Sequence, residues 1–154
     1  MLFLALVAAI APPSSPLPRQ WASLSRAGAL SRVSETIDIA TGDAQRSPVF
    51  RYRLRLTVAR PNGTVAISWI DSAACPAVRP VIAGMRDIPM PRPAPYGVGD
   101  EQRFIVLDGA SYSLTTPSND PSGTLTITSN IGSSLAKWVD ASFAALAPCW
   151  RAEP

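Results

Sequence analysis

From residue 50 to 58 the chain alternates without a break: Phe50, Tyr52, Leu54, Leu56 and Val58 are apolar, while Arg51, Arg53, Arg55 and Thr57 are polar. A period of two predicts a strand with one buried face. Beyond the turn Arg60-Pro61-Asn62-Gly63-Thr64, Val65, Ile67 and Trp69 alternate with Ala66 and Ser68, so the whole segment predicts a β-hairpin. Two registers compete for it. A two-residue Asn62-Gly63 loop sets Val58 opposite Ile67 and Leu56 opposite Trp69; it is preferred because it keeps one face apolar. A Pro-Asn-Gly type I turn with a bulge shifts the pairing by one, and Pro61 suits that turn.

The same period predicts further strands. Val33, Ile37 and Ile39 oppose Ser34, Thr36 and Asp38 in a strand ended by Thr41-Gly42-Asp43. Residues 103–107 and 111–115 flank Asp108-Gly109 and read as a second hairpin, and Thr124 to Thr128 alternates strictly as another strand. Helical spacing is clearest near the C-terminus, where Leu135, Trp138, Val139, Ser142, Phe143 and Leu146 share a stripe, Ser133 can cap the start and Pro148 ends the run. Trp21, Leu24 and Leu30 suggest a weak helix before the first strand. Asp71 or Ser72 can cap a short helix through Ala73 and Ala74, which Pro76 and Pro80 limit to fragments. The proline-rich segment 89–97 predicts an extended crossover between the two hairpins.

These elements predict one α+β domain over residues 16–154, an antiparallel sheet of about five to six strands with the C-terminal helix packed on one face. At 154 residues, with 47% hydrophobic and 16% charged residues, the chain is long enough to bury a real core and is outside the disordered class. Residues 1–15 are read separately. The uncharged run Leu2 to Ala11 breaks into Pro12-Pro13-Ser14-Ser15 and matches the apolar region of a secretory leader, although no basic side chain precedes Arg19. Its length falls short of the roughly 20 apolar residues that span a bilayer. A periplasmic or secreted location follows, and in such a compartment Cys75 and Cys149 are expected to form a disulfide.

Composition then narrows the chemistry. The chain has no histidine, which removes the commonest general base and zinc ligand and every triad built on imidazole. With the cysteines paired, thiolate nucleophiles and cysteine-rich metal sites are excluded too, so neither a cofactor nor a metal is expected. The net charge of +3 carries no clustered footprint of the kind nucleic acid needs. Ser134-Leu135-Ala136-Lys137 fits the S-x-x-K spacing that lets a lysine activate a serine, but the S-D-N and K-T-G companions are absent and a capped helix start explains the same residues. Asp100 and Glu101 point apart on a strand, and Asp71, Asp87 and Asp108 sit beside turns. The loop Ser118 to Gly123 lacks the carboxylate spacing of a calcium site. The prolines around Arg92 fit a linker better than a polyproline ligand.

Arg51, Arg53 and Arg55 form the most suggestive constellation. Residues at i, i+2 and i+4 leave one face of a strand, so three guanidiniums can make an anion-binding ladder, with Asp38 or Glu35 of a neighbouring strand as the ordinary cross-strand partners. The expected function is a small, exported, non-enzymatic binding or envelope-associated accessory protein, its partner another envelope protein or an anionic glycan or lipid headgroup. The alternatives are a small hydrolase using carboxylates or Ser134 and Lys137, and an inhibitor or assembly subunit acting through an edge strand. An exposed apolar edge is the feature that would favour the last.

Overall fold

A computed structural model describes residues 17–42, 50–91, 109–120 and 122–153. The leader segment, the first strand of the second predicted hairpin and most of the proline-rich crossover lie outside them. The described chain is an antiparallel six-stranded sheet with two α-helices, an α+β domain whose C-terminal helix packs on the sheet. In chain order the elements are β1 (Gln20–Gly28), β2 (Ser34–Thr41), β3 (Tyr52–Ala59), β4 (Val65–Asp71), α1 (Val78–Gly84), β5 (Ala110–Pro117), β6 (Thr124–Asn130) and α2 (Ser134–Leu146). Across the sheet the order is β4-β3-β2-β1-β5-β6. The first four strands meander outward from β1, and after α1 the chain returns to add β5 and β6 on the other side of it.

Register places the core on one face. Leu24 pairs with Ile37 and Leu114, Ile37 with Leu56, Ile39 with Leu54, Leu54 with Ile70, and Leu114 with Ile127. These side chains meet Val78 and Val81 of α1 and Leu135, Val139, Phe143 and Leu146 of α2 in a single buried cluster. The opposite face carries Ser23, Ser25, Thr36, Ser113, Thr115 and Thr126, a polar row set by the same alternation. The predicted cap is formed, with the Ser133 hydroxyl accepting a hydrogen bond from the Ala136 amide at 3.0 Å.

Four local expectations are corrected. Residues 111–115, expected to form a hairpin with 103–107, lie in β5, whose two neighbours are β1 and β6. Residues 20–28 form β1, not a weak helix, and this strand is central. Ala22 and Leu24 face the core while Ser23 and Ser25 face away, and both flanking strands satisfy its backbone. A register shift at Trp21 breaks the alternation just where the pattern begins, and Leu30 belongs to the following turn. The hairpin adopts the shifted register: Val58 pairs with Ala66, Leu56 with Ser68 and Arg55 with Trp69. Gly63 donates to the Arg60 carbonyl at 3.0 Å with φ of 79°, a turn followed by a left-handed glycine, which Pro61 favours at its second position. Asp71 caps a turn, its carboxylate accepting from the Ala73 amide at 2.7 Å, and the helix starts later, at Val78. Pro80 is the third residue of α1, where the missing N–H has no intrahelical acceptor to lose.

Candidate functional site

The arginine ladder is divided by the fold. Arg51 precedes β3 and is exposed, Arg53 is exposed opposite Asp71, and Arg55 is buried at 7% exposure beside Asp38, itself 7% exposed. Asp38 and Arg55 are cross-strand neighbours. The Arg55 guanidinium donates through Nη2 at 2.8 Å and Nε at 3.3 Å to one Asp38 oxygen, while the other accepts from Gln20 Nε2 at 2.9 Å. A buried carboxylate needs this complete satisfaction because removal from water is expensive for an ion.

A second cluster, built around Arg26, was not legible in the sequence. Arg26 stands opposite Glu35 and Tyr112 in one row across β2, β1 and β5, and Asp140 reaches down to the same row from α2. Arg26 Nε donates to Glu35 at 2.6 Å, Nη1 donates to Asp140 at 2.9 Å, and the Tyr112 hydroxyl donates to the second Asp140 oxygen at 3.0 Å. The guanidinium carbon lies 4.2 Å from the Phe143 ring centroid, a cation–π contact. Burial by itself would lower the Arg26 pKa, but hydrogen bonds and charge from Glu35 and Asp140 raise it on balance. Burial, with the bond to Asp140, pushes the Tyr112 hydroxyl up. Both carboxylates are engaged by a permanent cation, so the cluster clamps α2 onto the sheet. Alternation in β1 and β2 could have suggested the Arg26–Glu35 pair, whereas nothing along the chain points from there to Asp140.

The other candidates are dispersed. Ser134 and Lys137 are both exposed on the first turn of α2, and neither side chain makes a hydrogen bond or ion pair among the described residues. Asp100, Glu101 and Asp108 lie outside those residues. Asp71 and Asp120 are tied into local turns. Cys75 and Cys149 form a disulfide across a separation of 74 residues, joining the segment after β4 to the end of α2. Among the described residues no three acidic, cysteine or histidine side chains gather as a metal site, and no helix is long and apolar enough to cross a membrane.

The remaining surface feature is the β4 edge. The shifted register turns Val65, Ile67 and Trp69 to the face opposite the helices, in the row of Arg53, Arg55 and Thr57. Val65 and Ile67 are each 42% exposed, and from Val65 to Ile70 the strand has no charge. Trp69 exchanges two backbone hydrogen bonds with Arg151, at 2.8 and 3.0 Å, in an antiparallel bridge. The Trp69 backbone therefore points away from β3, and by the two-residue alternation so do those of Val65 and Ile67, which have no partner among the described residues. The chain matches no family model, no curated protein and no solved structure.

Proposed function

We propose that this is an exported, envelope-associated binding protein, non-enzymatic, that takes up an extended segment of a partner polypeptide as an added strand along β4. The observation that carries the reading is the edge itself: uncharged, apolar at Val65 and Ile67, without a backbone partner there among the described residues, and already bridged at Trp69 by an antiparallel segment of its own chain. Exposed apolar edges invite pairing, and proteins usually blunt them with charge, proline or a bulge. Strand addition draws affinity from main-chain hydrogen bonds and selectivity from alternate side chains. A partner laid against β4 would set apolar side chains beside Val65 and Ile67. The disulfide supports export, since such bonds persist in oxidising compartments. Anion binding at the arginines falls to Arg51 and Arg53, because Arg55 is engaged by Asp38.

A photo-crosslinking residue placed at Ile67, with Thr128 on the β6 edge as control, tests the reading in intact envelopes. The expected result is one adduct from position 67, mapping to an extended segment of one polypeptide and absent from position 128. No adduct at 67, or equal adducts at both positions, would overturn it. For the export step, N-terminal sequencing should find the chain cut after Ala9 or Ala11, and thiol titration should find no free cysteine. A retained leader with two titratable thiols would end the export reading.

A further inference from the structure

Strand direction gathers one set of turns at one end of the sheet. The β1–β2 turn, the β3–β4 turn and the β6–α2 turn all lie there, linked by pairing of Gly28 with Ala110, Ser34 with Ala59, and the Ile131 amide with the Ala110 carbonyl. Two aliphatic side chains project from these turns with little contact to the protein: Leu30, 82% exposed, and Ile131, 57% exposed. Isolated exposed aliphatic residues are ordinary, but these two flank the same backbone junction.

The charge at this end is one-sided. Arg32 follows Leu30, Arg60 opens the β3–β4 turn and Lys137 lies on the first turn of α2; none forms an ion pair among the described residues. Among the described residues the acidic groups nearby, Glu35 and Asp140, are both bound to Arg26. Counting that cluster, the described residues at this end carry a net positive charge. Free cations around projecting aliphatic tips match the interfacial layer of an anionic bilayer, where basic side chains meet headgroups and apolar tips reach the acyl boundary.

We propose that this end of the sheet docks onto an anionic lipid surface, with Leu30 and Ile131 inserting and Arg32, Arg60 and Lys137 contacting phosphate headgroups. This surface is distinct from the β4 edge and leaves that edge clear for a partner strand. It gives an exported protein without a spanning helix among its described residues a means of staying at the membrane.

Vesicle co-sedimentation of the full chain tests it, using phosphatidylcholine vesicles with and without 30% phosphatidylglycerol. The anionic lipid supplies the negative surface potential that attracts basic side chains. Binding should require the anionic lipid and weaken with salt. At about fivefold per cation, the triple variant Arg32→Gln, Arg60→Gln, Lys137→Gln should lose about 100-fold in partition. The double variant Leu30→Ser, Ile131→Ser should bind weakly even at low salt with all cations present. All five positions are exposed, and an unchanged circular dichroism spectrum confirms that the variants fold. Any leader is common to every variant, so the comparison reads this end alone. The proposal is overturned by no binding of the parent chain, by equal binding of all variants, or by loss only when Arg51 and Arg53 become glutamine, which would assign the anion to those arginines. Binding to a soluble acidic protein in place of the vesicles would also reject it. Failure here leaves the crosslink at Ile67 unaffected.

Discussion

The buried pair of Arg55 and Asp38 shows how one residue can be suggestive in sequence and structural in the fold. An arginine in a strand row with two others looks like part of a binding surface, but register sets it opposite an aspartate and both are buried in a direct ion pair. Removing one member leaves the other charged in a dry site. Arg55→Met leaves the Asp38 carboxylate with the Gln20 amide but without its buried cation, and should destabilise the protein by about 3 to 5 kcal/mol. The double variant Arg55→Met, Asp38→Leu should recover most of that loss, because it removes both desolvated ions. Urea unfolding of the three proteins checks this, and equal stability of parent and single variant would show that the pair contributes nothing. Arg26 is structural too but carries no such hint along the chain, since its three polar and aromatic contacts come from β2 and α2.

At the level of elements, strands with clean alternation and one capped helix could be read directly. Residues 52–59 and 124–130 follow a period of two, and Ser133 stands where a helix needs an acceptor. The failures have local causes. β1 has small residues at its alternating positions and a register shift at its start, so its apolar signal is weak and a neighbouring leucine mimics a helical stripe. In the hairpin, maximal apolar matching favours one register, but turn chemistry outweighs it: Pro61 and a left-handed Gly63 fix the shifted pairing. Gly63 therefore has a testable role. A Cβ there would meet nothing within 4 Å, so Gly63→Ala carries only the left-handed backbone penalty, about 1 to 2 kcal/mol. A thermal melt should show that loss while the amide resonances of β3 and β4 keep their pattern. No loss would mean that the turn relaxes to another conformation.

Across the whole molecule, the disulfide has two consequences. It closes a loop spanning a separation of 74 residues, and it holds the Trp150–Arg151 segment where Arg151 can bridge to Trp69 on the β4 edge. Cys75→Ser with Cys149→Ser should lower stability by about 4 kcal/mol in the chain-entropy account. It should also speed hydrogen exchange at the Trp69 amide, and unchanged exchange there would show that the bridge does not depend on the bond. Spacing and periodicity along the chain were enough to read an antiparallel α+β domain, its helix cap and the identity of its cysteine pair, because each depends on local pattern or on having two cysteines and no more. Folding alone settled which strand is central, which arginine is buried, and that Leu30 and Ile131 come to one end while Val65 and Ile67 line an open edge. Those outcomes depend on pairing register and on contacts between residues far apart in sequence, and a one-residue change of register moves every side chain of a strand to the other face.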